Sequence, residues 1–266
     1  MIMYWHIFKL GIGSALTYRV NFFLRALFNL VPLVAAMALW RAIYPNQFIQ
    51  IGGYTLMQML SYYLLVTVTD AATAVTEDEW QIASEIKDGH IAQILVRPLT
   101  YLQYRLCLFC AGRVAYIFAG FCPVALFVLW HHKYFLPPAS LLAGAAFILS
   151  LLLAALLQFL LSYITALLAF WVLEISSFSF VLLAFERLAS GQMFPLDILP
   201  APLAAGLMWT PFPYCTFLPV SVYLGRINGL QIAGGLMLQT LWVAAIYVLA
   251  RWVWLRGVKS YTLVGG

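Results

Sequence analysis

Residues 139–173 form an apolar segment that contains no charged side chain. This segment exceeds the roughly 20 apolar residues that a helix needs to cross the hydrocarbon core of a bilayer. The rest of the chain is similar, because hydrophobic residues make up 65% of it and charged residues only 9%. Since about a quarter of the residues in a soluble domain are charged, this composition predicts an all-α integral membrane protein.

Six segments have the length and apolarity of membrane-spanning helices. They cover residues 22–44, 54–75, 104–130, 139–173, 175–189 and 230–255. Residues 1–20 combine aromatic side chains with Lys9 and Arg19, which predicts an N-terminal amphipathic helix along the membrane surface. We therefore expect residues 1–266 to form a single transmembrane domain.

Lysine and arginine residues are distributed unevenly between the two sides of the predicted spans. Ten of them fall on the side of both termini, and the other side has Arg41, Lys133, Arg187 and Arg226. Because cytoplasmic loops carry the excess of basic residues, we expect both termini and residues 76–98 in the cytoplasm. The basic residues form no stripe, so the net charge of +5 does not indicate binding to nucleic acid.

Residues 76–98 contain five of the nine acidic residues of the chain. Thr76 and Glu79 have the spacing of a capping box, and Gly89 is placed to end a helix in the left-handed conformation. One face of the predicted helix is apolar and consists of Trp80, Ile82, Ala83 and Ile86. The pattern predicts two short helices with a tight corner, a surface that a partner protein can bind. A solvated connecting loop is the alternative interpretation.

Six of the twelve prolines lie between residues 195 and 219. A straight helix cannot accommodate this number, because each proline lacks an N–H group and clashes with the preceding turn. Irregular backbone at membrane depth must be buried in protein or line a cavity. We therefore expect short re-entrant helices on the external side, within residues 190–222.

Five features together resemble the permease subunit of a type-2 ATP-binding-cassette exporter, in particular the small bacterial subfamily with a separate ATPase chain. They are the six spans with cytoplasmic ends, the amphipathic lead-in, the loop IKDGHIAQILVRPLTYLQYR, the run SGQMFPLDILP and the tail RGVKSYTLVGG. The resemblance implies that residues 76–98 are a coupling segment. Its candidate contacts with the ATPase are Glu85, Lys87, Asp88, Gly89, His90 and Arg97.

The resemblance also implies a set of partners and a location. These are two copies of an ATPase that binds ATP and Mg²⁺, a second permease that is identical or paralogous, and the bacterial inner membrane. The resemblance alone indicates export as the direction. It does not identify the transported substrate.

Charged residues at or near the ends of spans are candidates for a translocation path. They are Asp70, Arg113, Glu174, Glu186 and Arg187. For Asp70 and Glu174 we favour contact with headgroup water or pairing with other charges. Glu186 and Arg187 stand next to the proline-rich segment, so we predict that they form the path or gate together with Phe194 and Pro195.

We expect no catalytic residue, metal site or cofactor on this chain itself. The phosphate-binding motif G-x-x-x-x-G-K-[ST], the metalloprotease motif H-E-x-x-H and the nucleophile elbow G-x-S-x-G do not occur. His131 and His132 are adjacent, but they lack the further ligands that a metal site requires. An ion-coupled transporter or channel that acts without an ATPase is the alternative function.

Overall fold

The computed structural model describes residues 2–17, 19–44, 50–75, 78–96, 99–172 and 174–260. The structure is 81% helical, and no strand occurs among these residues, which confirms the all-α prediction. In chain order the α-helices are α1 (Ile2–Thr17), α2 (Arg19–Phe28), α3 (Leu30–Ile43), α4 (Leu56–Thr73), α5 (Asp78–Lys87), α6 (Ile91–Leu95), α7 (Tyr101–Trp130), α8 (Leu141–Leu167), α9 (Ser176–Ala189), α10 (Ala201–Met208), α11 (Phe217–Tyr223) and α12 (Gly229–Ser260).

Three helical segments among the described residues are long and apolar enough to cross a membrane. They are Phe23–Ile43, Leu141–Phe170 and Gly229–Ser260. A fourth results if the two parts of α7, Tyr101–Ala119 and Pro123–Trp130, count as one span with a bend of 43°. The bend lies at Pro123, where the ring removes a helical hydrogen bond.

Helices α4 and α9 coincide with the predicted second and fifth spans but do not have the length and apolarity of the others. Helix α9 has 14 residues, about 21 Å, which is less than the hydrocarbon thickness of about 30 Å. Helix α4 includes Gln58, Ser61, Thr69 and Asp70. Because α4 packs against α3, α7 and α8, its neighbours cover much of its surface, and it can carry these polar residues.

The core of the fold forms around α8. This helix packs against α4, α5, α11 and α12. It is apolar over most of its surface, which is typical of a helix surrounded by other helices, and Gln158, Ser162 and Thr165 form a polar stripe on one face. Its fully buried residues include Leu157, Phe159, Leu160 and Tyr163.

The N-terminal helix α1 packs alongside the first turns of α7. The hydroxyl of Tyr4 donates a hydrogen bond of 2.7 Å to Oε1 of Gln103. Further along, a side chain at Gly11 would come within 2.7 Å of Ala111 Cβ, so the two helices lie very close there. The placement of residues 1–20 along a membrane surface stays a prediction.

The segment after α9 is divided into short helices, as the prolines predict. The Tyr62 hydroxyl of α4 donates to the carbonyl of Gly191, and the amide of Phe217 donates to the carbonyl of Ser190. Between these points, the carboxylate of Asp197 accepts a hydrogen bond from the hydroxyl of Tyr54. Tyr54 lies just before the start of α4, about two helical turns from Tyr62. Residues 191–217 thus begin beside Tyr62, extend to the N-terminal end of α4 near Tyr54, and return to the level of Tyr62.

Candidate functional site

The helices α5 and α6 meet at a tight corner. Helix α5 ends at Lys87 and α6 begins at Ile91, so only Asp88, Gly89 and His90 connect them. Gly89 has φ = +79°, in the left-handed region that residues with a Cβ atom rarely adopt. The predicted corner and its glycine are therefore confirmed. Thr76 of the predicted capping box lies outside the described residues.

The inner face of the corner is buried against α8. Ile82, Ala83 and Ile86 of α5 are at most 3% exposed, and Ile91 of α6 is fully buried. Trp80, which the sequence pattern assigns to the same face, is 51% exposed and lines a cavity between the helices. Burial of the isoleucines stabilises the packing of α5 by about 2 kcal/mol for each side chain.

A buried arginine attaches α5 to α7, and the group it forms is named here the inner cluster: Glu85, Tyr101 and Arg105. Nη2 of Arg105 lies 2.5 Å from the Glu85 carboxylate. The Tyr101 hydroxyl donates to the same carboxylate at 2.6 Å and accepts from Nε of Arg105 at 3.2 Å. Arg105 also reaches Oε1 of Gln81 with Nη1, at 3.3 Å. Gln81 and Glu85 of α5 thus both contact the Arg105 side chain of α7.

The candidate contacts with an ATPase lie in different environments. Lys87, Asp88 and His90 are exposed at the corner. Glu85 is instead turned inward and interacts with Arg105 and Tyr101 of the same chain. Arg97 lies outside the described residues. The exposed tip of the corner therefore consists of residues 87–90.

A cavity of about 1010 Å³ extends from the start of α5 to the segment that follows α9. Its walls come from α2, α4, α5, α7, α8, α9 and α12. Polar residues on these walls include Thr73, Gln158, Ser162, Thr165, Ser179, Gln192 and Thr216. Phe178, Phe180 and Phe212 provide apolar surface. The cavity thus has both polar and apolar surface, although the surrounding helical bundle is mainly apolar.

Six charged side chains line this cavity, three acidic and three basic. They are Asp70, Glu79, Glu186, Arg25, Arg113 and Arg187. Nε2 of Gln192 donates a hydrogen bond of 2.8 Å to Asp70, and the amide of Gln158 lies within hydrogen-bonding reach of Glu186. Within the described part of the chain, these two carboxylates bind neutral amides and form no direct ion pair.

The structure brings Glu186 and Arg187 into this cavity, whereas Phe194 and Pro195 do not line it. Asp70, for which the sequence favours headgroup water, lines the same cavity because α4 lies inside the bundle. Glu174 lies outside it and accepts hydrogen bonds from the hydroxyl and the amide of Ser176, at the start of α9. These bonds lower the pKa of the exposed Glu174 carboxyl.

A second group that joins a tyrosine, an arginine and an acidic residue, named here the outer cluster, consists of Tyr54, Asp197 and Arg226. The Tyr54 hydroxyl donates to Asp197 at 2.8 Å, and Arg226 Nη2 lies 3.4 Å from the same carboxylate. The guanidinium of Arg226 stacks over the Tyr54 ring at 4.1 Å and donates to the carbonyl of Gly53. This cluster joins the start of α4 to both ends of the segment 197–226.

Sequence reasoning did not identify Arg105, Tyr101, Gln158 and Gln192 as site residues. Arg105 is 1% exposed, and the sequence analysis counted it only as one of the ten basic residues on the side of both termini. Two features of the sequence could have identified this pair: Arg105 lies one turn inside an apolar helix, and the polar segment before that helix contains the acidic residue Glu85. Nothing in the local sequence distinguishes Gln158 or Gln192 from other polar residues of the bundle.

Comparison with known proteins agrees with this architecture. The family described as ABC-2 family transporter protein matches residues 30–265, which include the corner, both clusters and all residues that line the cavity except Arg25 and Asn29. No curated protein matches the chain. The match covers most of the sequence and confirms the resemblance noted from its motifs. The chain therefore belongs to the ABC-2 transporter family, as an integral membrane permease subunit.

Proposed function

We propose that this permease belongs to an ATP-driven exporter and that the corner between α5 and α6 binds a separate ATPase. The main support is the corner itself, which has a buried inner face, an arginine attachment to α7 and an exposed tip at residues 87–90. A connecting loop between two spans needs only a few residues and no such attachment. In this proposal Lys87, Asp88, Gly89 and His90 contact the ATPase, and Arg97 follows them in the chain.

The proposed architecture has six spans, with α4 and α9 as the second and fifth. Both termini and the corner lie in the cytoplasm of a bacterial cell, and residues 190–222 form the external re-entrant segment. Two ATPase copies bind ATP and Mg²⁺, and a second permease, identical or paralogous, completes the complex. The support is the distribution of basic residues and the path of the chain between Gly191 and Phe217.

The cavity is proposed as part of the translocation path, with Glu186 and Arg187 on its wall. Glu79 and Trp80 of α5 also line the cavity, so a movement of α5 would alter its shape. ATP binding would then favour one of two arrangements of the spans, because the ATPase contacts the corner differently in each. Phe194 and Pro195 contribute to the external gate in this scheme.

Replacing Gly89 tests the proposed ATPase contact. Gly89→Val forces a β-branched residue into φ = +79°, which costs about 1–2 kcal/mol and distorts the corner. We expect normal membrane insertion but loss of ATPase during co-purification. Gly234→Val is the matched control, because Gly234 is helical and a Cβ there meets no atom within 4 Å. Equal ATPase recovery from both variants would contradict the proposal.

An ion-coupled transporter that acts alone is the second candidate. The observation that favours it is the pair of cavity carboxylates, Asp70 and Glu186, which hydrogen-bond to amides within the bundle. Transport by this chain alone in proteoliposomes, driven by an ion gradient without nucleotide, would support it. The ATP-driven exporter predicts no transport under those conditions.

A further inference from the structure

We infer that the cavity binds an amphiphile with a zwitterionic headgroup. The inference specifies the substrate class of the proposed translocation path and therefore rests on the proposed function. It depends on the charges of the cavity, on their hydrogen-bond partners and on the apolar surface beside them.

The acidic side of the site consists of Asp70 and Glu186. Each carboxylate interacts with a neutral glutamine amide and with arginines only at longer range. An amide hydrogen bond satisfies one oxygen of a carboxylate and adds no opposite charge, so the arginines at longer range compensate these two carboxylates only in part. A ligand ammonium group would supply the remaining compensation through a charge-assisted hydrogen bond.

The basic residue next to these carboxylates is Arg187, which follows Glu186 directly in α9, and Arg25 and Arg113 also line the cavity. The Arg187 side chain lines the cavity and forms no hydrogen bond or ion pair with the described residues. A guanidinium group binds phosphate or carboxylate oxygens through two parallel hydrogen bonds. Because Arg187 lies within electrostatic reach of Asp70 and Glu186, a ligand that contacts all three must carry both signs of charge close together.

A buried hydroxyl supports a polar ligand at the same site. Oγ of Ser179 is inaccessible to solvent and has no hydrogen-bond partner among the described residues, although Ser179 lines the cavity. A buried hydroxyl without a partner is destabilising by about 1–3 kcal/mol. A headgroup oxygen in the cavity would give this hydroxyl an acceptor once a change of rotamer turns the Ser179 side chain toward the cavity.

The apolar part of the ligand follows from α9. Phe178, Phe180, Val181 and Leu183 line the cavity on the same helix as Glu186 and are more than 40% exposed. An alkyl chain beside them would pack against this surface, and because lipid chains are equally apolar, its contribution to binding within a membrane comes from van der Waals packing and not from removal of water. The volume of about 1010 Å³ is at the upper end of the range of about 300–1,000 Å³ for ligand pockets, so a headgroup and part of a chain fit together.

The test uses full-length permease in lipid nanodiscs and three amphiphiles with the same dodecyl chain. Dodecylphosphocholine is zwitterionic, dodecyltrimethylammonium is cationic and dodecyl phosphate is anionic. Binding is measured by displacement of a fluorescent phosphocholine amphiphile. We expect the zwitterion to bind about tenfold more tightly than either singly charged compound, because it forms both charged contacts. Soluble phosphocholine, which lacks the chain, should compete weakly.

Substitutions of the three charged cavity residues show which group of the ligand each residue contacts. Asp70→Asn and Glu186→Gln should each weaken zwitterion and cation binding about tenfold, with the anion little affected. Arg187→Gln should weaken zwitterion and anion binding instead. Asp197→Asn and Arg41→Gln are matched controls, since neither residue lines the cavity. Equal affinity for all three amphiphiles, or unchanged affinity in the three cavity variants, would overturn the inference.

This binding assay contains no nucleotide and no ATPase, so its result is independent of the Gly89 experiment. Charge-selective binding together with ATPase association supports the inference and the proposed exporter. If ATPase association persists and charge selectivity is absent, the substrate class is wrong and the exporter stands. If charge-selective binding persists and no ATPase associates, the proposed exporter is wrong.

Discussion

The inner and outer clusters each combine a tyrosine, an arginine and an acidic residue, and they differ mainly in burial. Arg105 of the inner cluster is 1% exposed and lies 2.5 Å from Glu85. Arg226 and Asp197 of the outer cluster are 25% and 29% exposed and are separated by 3.4 Å. Because burial removes competing water, the inner pair depends much more strongly on the presence of both partners.

The two clusters therefore suit different structural roles. The inner cluster fixes a cytoplasmic segment to a span in our proposed orientation, so a displacement of α5 is transmitted to α7. The outer cluster joins the start of α4 to Asp197 and Arg226, which lie on either side of the short helices α10 and α11. An exposed ion pair contributes about 0–1 kcal/mol and can open and close at little cost. The outer cluster thus has the properties of a reversible contact.

Removal of the inner arginine should have the largest effect. Arg105→Met leaves the Glu85 carboxylate partly buried without its cation, which destabilises the protein by about 3 kcal/mol. We expect a clearly lower midpoint of thermal unfolding in detergent and reduced ATPase association. A midpoint within experimental error of the wild-type value would show that the cluster does not stabilise the fold.

Combining two substitutions sharpens this result. Glu85→Gln in the Arg105→Met background removes the uncompensated charge, so the double variant should recover about 1–2 kcal/mol of the lost stability. The same thermal measurement on the two single variants and the double variant gives the coupling energy. Additive effects would contradict a direct interaction between the two side chains.

The tyrosines allow a matched comparison of the clusters. Tyr101→Phe removes one hydroxyl that both donates to Glu85 and accepts from Arg105, at a cost of about 2 kcal/mol. Tyr54→Phe removes a hydroxyl that donates to the more exposed Asp197, at a cost of about 1 kcal/mol. We expect the larger decrease in thermal midpoint for Tyr101→Phe. A larger decrease in thermal midpoint for Tyr54→Phe would contradict the conclusion that burial strengthens the inner cluster.

The smallest effect is expected for Arg226→Gln. The exposed ion pair contributes at most about 1 kcal/mol, and added salt screens it. The difference in thermal midpoint between wild type and variant should decrease as salt concentration rises. Glu85→Gln should show a difference that salt leaves nearly unchanged, because Arg105 is buried. If salt changed the midpoint difference equally for both variants, the two clusters would not differ in their exposure to solvent screening.

Much of the fold was predictable because its signals are local. The corner follows from Gly89 between two apolar repeats, and Gly89 has the positive φ that the position requires. The division of residues 190–222 into short helices follows from the prolines, which act through their own ring geometry. The glycine and the prolines act within one or two turns of the chain, so a single sequence is sufficient to predict their effects.

The position of Asp70 was not predictable in the same way. Its place near the end of α4 suggested contact with headgroup water, but it lies on the cavity wall and binds Gln192. The two residues are separated by 122 positions in the sequence. Their contact requires α4 to lie inside the bundle and the segment after α9 to return toward it, and neither condition is encoded near Asp70.

The amino-acid sequence by itself determined that this protein is an apolar helical membrane protein with one capped corner and one proline-broken segment. Composition and local backbone preferences suffice for these features, because each acts over a few residues. Only the tertiary structure decided which charges meet, turning Glu85 inward to Arg105 and bringing Asp70, Glu186 and Arg187 to one cavity. Such pairings depend on how distant helices pack, and packing is set by the whole molecule.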